Sequence, residues 1–100
     1  MTRQQQILSM VTAELKQHSP LLHNHRVLLF GSRARGTAAD RSDFDLGVYG
    51  DEQLPLEAFH QLADHLDNLP TLFQIDFVDL NRAPEQLRQE ALAEGKVIYE

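Results

Sequence analysis

The sequence predicts a small α/β (α+β) domain, a mixed β-sheet flanked by helices in the order α-β-β-α-β-α-β. Three observations carry this. Apolar residues recur at helical spacing in three stretches, and four short runs of aliphatic, β-branched and aromatic residues read as strands. Glycine or proline marks most junctions between them. The chain has 100 residues, so it is read as one domain, residues 1–100, with one core.

Ile7, Val11 and Leu15, with Leu8 and Met10 beside them, draw one stripe along a helix from Thr2 to about His18, which Pro20 ends. Arg26–Phe30 is an aliphatic run closed by Gly31, as expected of a buried strand. Residues 31–42 are small and polar, a loop with room for one helical turn. Asp43–Tyr49 alternates acidic and apolar residues and reads as a second strand with both aspartates on one face. Pro55 fits the first turn of a helix whose inner face is Phe59, Leu62, Ala63 and Leu66, and Pro70 stops it. Leu72–Leu80 is the third strand. Pro84 opens a helix over Glu85–Glu94, with Leu87, Ala91 and Leu92 inward and Gly95 as its terminator. Val97–Tyr99 is the last strand.

Composition narrows the function. There is no cysteine, which excludes a disulfide scaffold, a cysteine zinc site and thiol catalysis. The longest apolar run, Val27–Phe30, is far short of the ~20 residues that span a bilayer. Residues 1–6 lack the apolar stretch of a signal peptide. The expectation is a soluble, cytoplasmic protein with no membrane role. Fifteen acids against nine bases give a net charge of −6, so no general nucleic-acid binding is expected. Locally the balance differs: Arg26, Arg33, Arg35 and Arg41 surround a stretch whose only acid is Asp40, and such a segment can hold an anion.

The chemistry concentrates between Phe30 and Leu46. Gly31-Ser32 follows the first strand. Glycine there lets the backbone approach a ligand, and Ser32 adds a hydroxyl. Asp43 and Asp45, two apart on a strand, leave one face, and such a pair is stable only when solvated or bridged by a cation. Phe44 and Leu46 point the other way. Asp76 interrupts a hydrophobic run in the third strand, where an acid is costly unless paired or metal-bound. Three acids on adjacent strands can hold two divalent cations roughly 3.5–4 Å apart, the arrangement of two-metal phosphoryl and nucleotidyl transfer. Oxygen donors suit Mg²⁺ or Mn²⁺ rather than zinc. Other motifs fail. Gly31 to Gly36 has P-loop spacing, but Thr37 and Ala38 replace its lysine and hydroxyl residue. An EF-hand from Asp43 fails at Val48. The histidines, including His60 and His65 on one helix, are read as surface residues.

Gly31-Ser32, ten residues, then Asp43-Phe44-Asp45 resembles the signature of the DNA polymerase β nucleotidyltransferase superfamily. The longer strings Gly-Ser-Arg-Ala-Arg-Gly-Thr-Ala, Ser-Asp-Phe-Asp-Leu and Ile-Asp-Phe-Val-Asp-Leu resemble its small prokaryotic branch, the minimal nucleotidyltransferases (MNT, MntA-like), over nearly the whole chain. The resemblance implies the polymerase β-like fold, two Mg²⁺ (or Mn²⁺) ions and ATP as nucleotide substrate. It implies that Asp43 and Asp45 hold both metals. Asp76 would bind the catalytic one and help deprotonate the attacking hydroxyl. Gly31 and Ser32 would bind the triphosphate, and Arg33 and Arg35 would neutralise phosphate charge. Asp79, three positions from Asp76, is expected to face elsewhere.

A core this small has little room for both a base and an acceptor, so a partner is expected to complete the site. The resemblance implies a HEPN-domain protein, with the chain as an antitoxin that transfers AMP to a tyrosine of that partner. Two alternatives stand beside this: a non-catalytic module that neutralises its HEPN partner by complex formation, and a nucleotidyltransferase acting on a small molecule such as an antibiotic.

Overall fold

The computed structural model describes residues 1–100. The chain opens with α1 (Arg3–Gln17), whose start is set by Thr2: its hydroxyl accepts from the Gln5 amide while the Gln5 side chain accepts from the Thr2 amide. A 3₁₀ turn at Ser19–Leu22, with Pro20 at its start, leads to β1 (His25–Phe30). One helical turn, α2 (Ser32–Arg35), and a loop connect to β2 (Phe44–Gly50). Then come α3 (Leu56–Asp67), β3 (Ile75–Asp79), α4 (Glu85–Glu94) and β4 (Lys96–Tyr99).

The sheet order is β3-β2-β1-β4. β1 runs antiparallel to β2 and β4, while β2 and β3 are parallel, joined through α3 as parallel neighbours require. The mixed sheet flanked by helices matches the expected class.

Strand alternation divides the sheet into two unlike faces. Val27, Leu29, Phe44, Leu46, Val48 and Ile75 point into the main core, closed by Ile7, Val11 and Leu15 of α1 and Leu62 and Leu66 of α3. The opposite face carries a smaller cluster of Leu28, Phe30, Leu80 and Ala91 under α4. A Cβ on Gly47 would lie 2.5 Å from Leu80 Cδ1, so glycine at this point of β2 lets Leu80 close that cluster.

Two apolar residues depart from the expected pattern. Leu92 is exposed, because α4 turns only Ala91 fully inward over this small cluster. Leu72 is fully exposed, and β3 begins at Ile75, since the chain is still turning after Pro70, with the Thr71 amide bonded to the Leu69 carbonyl. No helix is long and apolar enough to cross a membrane.

Phe44 has no exposed surface and anchors the start of β2. Phe44→Ala should lower unfolding free energy by about 3–5 kcal/mol, measurable by urea denaturation.

Candidate active site

Gly31, just before α2, and Ser32, its first residue, set the site's first corner. Gly31 adopts φ 74° and ψ −156°, a conformation open essentially to glycine alone. A Cβ here would also overlap Asp45 Oδ2. Glycine is therefore required twice, for its backbone angle and for the approach of the Asp45 carboxylate. Beyond it, the amides of Ala34 and Arg35 donate to the Gly31 carbonyl, leaving the first amides of the turn, Ser32 and Arg33, without intrahelical partners.

Register sets the second feature. Asp45 pairs across to Phe30 on β1 and to Asp76 on β3. Directly opposed residues share a face, so Asp45 and Asp76 stand side by side on neighbouring strands. Asp43 lies one residue before β2 and is exposed; the next residue is tied in by a 2.9 Å bond from the Phe44 amide to the Gln74 carbonyl. Phe30, Asp45, Asp67, Gln74, Asp76 and Leu87 line a shallow groove of about 680 Å³. The Gln74 side chain donates to Asp76 Oδ1 at 3.2 Å.

These acids sense one another. Partial burial, then the carboxylates of Asp76 and Asp43, push the Asp45 carboxyl above its ordinary range, and the Arg35 guanidinium opposes part of that shift. The oxygens of Asp43, Asp45 and Asp76 do not all close to within 4.8 Å of one another, a spacing met only by Glu14, His18 and His65.

The two arginines of α2 have different surroundings. Arg33 is buried, its guanidinium 4.3 Å from the Phe44 ring centroid and 5.3 Å from that of Phe73. Its Nε and Nη2 donate to the Ser42 carbonyl, Nη2 also to the Asp40 carbonyl, and Nη1 to Gln4 Oε1. Every guanidinium nitrogen is engaged: Nε and Nη2 hold the loop that leads to Asp43, and Nη1 ties the arginine to α1. Arg35 is half exposed and pairs with Glu94 at 3.0 Å. A surface pair of this kind contributes only ~0–1 kcal/mol, so Arg35 remains available to an incoming anion. Asp79 is in a separate network, accepting from the Asn81 amide and pairing with Arg82. The sequence did not expose Arg33's role, because Phe44 and Phe73 reach it from distant segments.

A family model described as Polymerase beta, Nucleotidyltransferase matches residues 11–100. No curated protein matches the chain. Among solved structures, one described as a toxin–antitoxin with AMP-PNP is 27% identical, with a TM-score of 0.62, covering 92% of this chain and 72% of the other. The toxin–antitoxin MntA-HepT is similar at 26% identity and a TM-score of 0.59, covering 95% and 71%. A structure described as a minimal nucleotidyltransferase shares 29% identity at a TM-score of 0.57, with 88% of each chain covered.

Two outcomes test this geometry. A carboxyl whose folded value is raised costs stability once pH exceeds its ordinary 3.8, and the full cost applies above the folded value. Asp45→Asn should therefore raise the Tm of metal-free protein at neutral pH. The gain should fade as pH falls through the raised folded value and be gone below 3.8, where both states are protonated; melts across that range check it. Arg33→Lys, which cannot reproduce the guanidinium fork, should cost about 1–3 kcal/mol of stability by denaturant unfolding.

Proposed function

This chain belongs to the polymerase β nucleotidyltransferase family, and from that premise we propose that it is a metal-dependent enzyme transferring AMP from ATP to a hydroxyl. The acceptor we assign is a tyrosine of a HEPN-type toxin, with the chain acting as antitoxin. The observation that carries the reading is the placement of Asp45 and Asp76 on adjacent strands, with Asp43 just ahead, beside the Gly31-Ser32 corner. The likeness to the toxin–antitoxin structures, one of them with AMP-PNP, supports the nucleotide and the partner.

The donor set fits Mg²⁺ or Mn²⁺: three carboxylates offer hard oxygens, and both the partial burial of Asp45 and the charges of Asp76 and Asp43 beside it are what a divalent cation would offset. Asp43 and Asp45 would hold two such ions, with Asp76 on the catalytic one. When bound, these ions supply charge stabilisation at the phosphate oxygens.

The chain's own residues do the rest. Gly31 admits the triphosphate close to the backbone, and Ser32 donates its hydroxyl and amide to phosphate oxygens. Arg35 exchanges Glu94 for phosphate charge. Arg33 holds the loop carrying Asp43 and so acts as a positioning residue. Asp76 accepts the proton of the attacking hydroxyl. The hydroxyl oxygen forms a bond to the α-phosphorus, the bond to the β-phosphate oxygen breaks, and pyrophosphate leaves with the electron pair.

Incubation with a HEPN partner, labelled ATP and Mg²⁺ should label the partner on tyrosine. Asp43→Asn with Asp45→Asn should abolish labelling while leaving a folded chain. An unlabelled partner that both wild type and the double variant neutralise equally would show that complex formation, not transfer, is the function.

A further inference from the structure

The acidic face occupies one side of the sheet, and a second group of metal-ligating side chains stands on the helical layer of the other. Glu14, His18 and His65 each present one ligand atom, and these atoms all lie within 4.8 Å of one another. Glu14 and His18 are one turn apart on α1, with Oε2 and Nε2 separated by 3.6 Å. That is too long for a good hydrogen bond. The His18 ring lies on the His65 ring, centroids 3.7 Å apart and planes 17° from parallel.

The positions are well fixed. His18 caps the end of α1 and His65 is in the last turn of α3. Leu15 and Leu66, adjacent in space along the same helices, are buried in the main core. The ligating side chains thus project from a packed helix pair.

We propose that Glu14, His18 and His65 form a site for a divalent transition ion of the zinc class, linking the ends of α1 and α3. Two imidazoles and a carboxylate are a donor set that zinc uses when three protein ligands and a water complete its tetrahedron. Nitrogen donors favour zinc over magnesium, which prefers oxygen. The chain therefore sorts ions by donor chemistry, hard cations to the aspartates and a borderline ion to the helices. Zinc–ligand distances of ~2.0–2.2 Å require the donors to draw closer than they stand. For both imidazoles to face one ion, the ring stack would open by rotation about the side-chain bonds. Glu14 and His18 are partly covered, while His65 is exposed and leaves the remaining coordination position to water. Because the helix pair exists only in the folded chain, the ion would stabilise it. This site is independent of the transferase reading.

Metal-stripped full-length protein, titrated with Co²⁺ and with Zn²⁺, tests it, with Mg²⁺ as control. The expected result is one equivalent of Co²⁺ giving a tetrahedral visible spectrum, displaced by Zn²⁺, and a Tm that rises with Zn²⁺ but not through this site with Mg²⁺. His65→Ala, at an exposed position, and His18→Gln should each weaken binding by more than the ~10-fold typical of losing an outer-shell partner. The Asp43→Asn, Asp45→Asn double variant should bind as wild type does. Absence of a Co²⁺ spectrum and of a Zn²⁺-dependent Tm shift at about 0.1 mM metal would overturn the proposal. So would binding that survives His65→Ala, or that vanishes only with the aspartate variant.

Discussion

The side-chain alternation of β2 is the constraint on which everything else in this molecule rests. Phe44, Leu46 and Val48 are completely buried on one face, and β2 is paired on both sides, with β1 and β3. A slip of one residue would drive Asp45 into the core and Phe44 into water. Hydrophobic burial on one face thus fixes the acidic group on the other, including its opposition to Asp76. Partial burial first, and then the neighbouring carboxylates of Asp76 and Asp43, hold the Asp45 carboxyl above its ordinary range. The acids are held because the core beneath them is worth more than their burial and repulsion cost.

A buried cation does a comparable job for the loop before β2. Arg33 would be expensive to desolvate alone, but two aromatic rings and three polar partners from three separate segments surround it. Its charge is spent on carbonyl oxygens of residues 40 and 42. Arg35, two residues later on the same short turn, keeps its charge at the surface beside the acids. Neighbouring arginines in one motif therefore differ: one is locked into the architecture and the other stays at the surface.

Much of this was legible in the residues themselves. Period-two alternation placed Asp45 opposite the core, and the acid within Ile75–Leu80 was conspicuous because burial makes an unpaired carboxylate costly. The neighbouring of Asp45 and Asp76 needed only the assumption that their strands are adjacent, which the register bears out. What was hidden depends on contacts between distant segments. The packing of Arg33 is one of these, since Phe73 and Gln4 reach it from segments far along the chain. His65 shares its helix with His60, yet the imidazole it stacks on is His18, from another helix. Leu92 has the right spacing for the inner face of α4, yet the cluster beneath that helix is too small to cover it.

The sheet's strand order also gives the groove a direction. β3, which bears Asp76, is an outermost strand, whereas Gly31 and Ser32 follow β1 on the far side of Asp45. A molecule sliding in over the free margin of the sheet meets Asp76 before Asp45. On the opposite flank β4 is outermost, and the glycine corner follows β1, between that edge and Asp45. Asp45 therefore stands one strand in from the free margin of the sheet, flanked by Asp76 on one side and the glycine corner on the other.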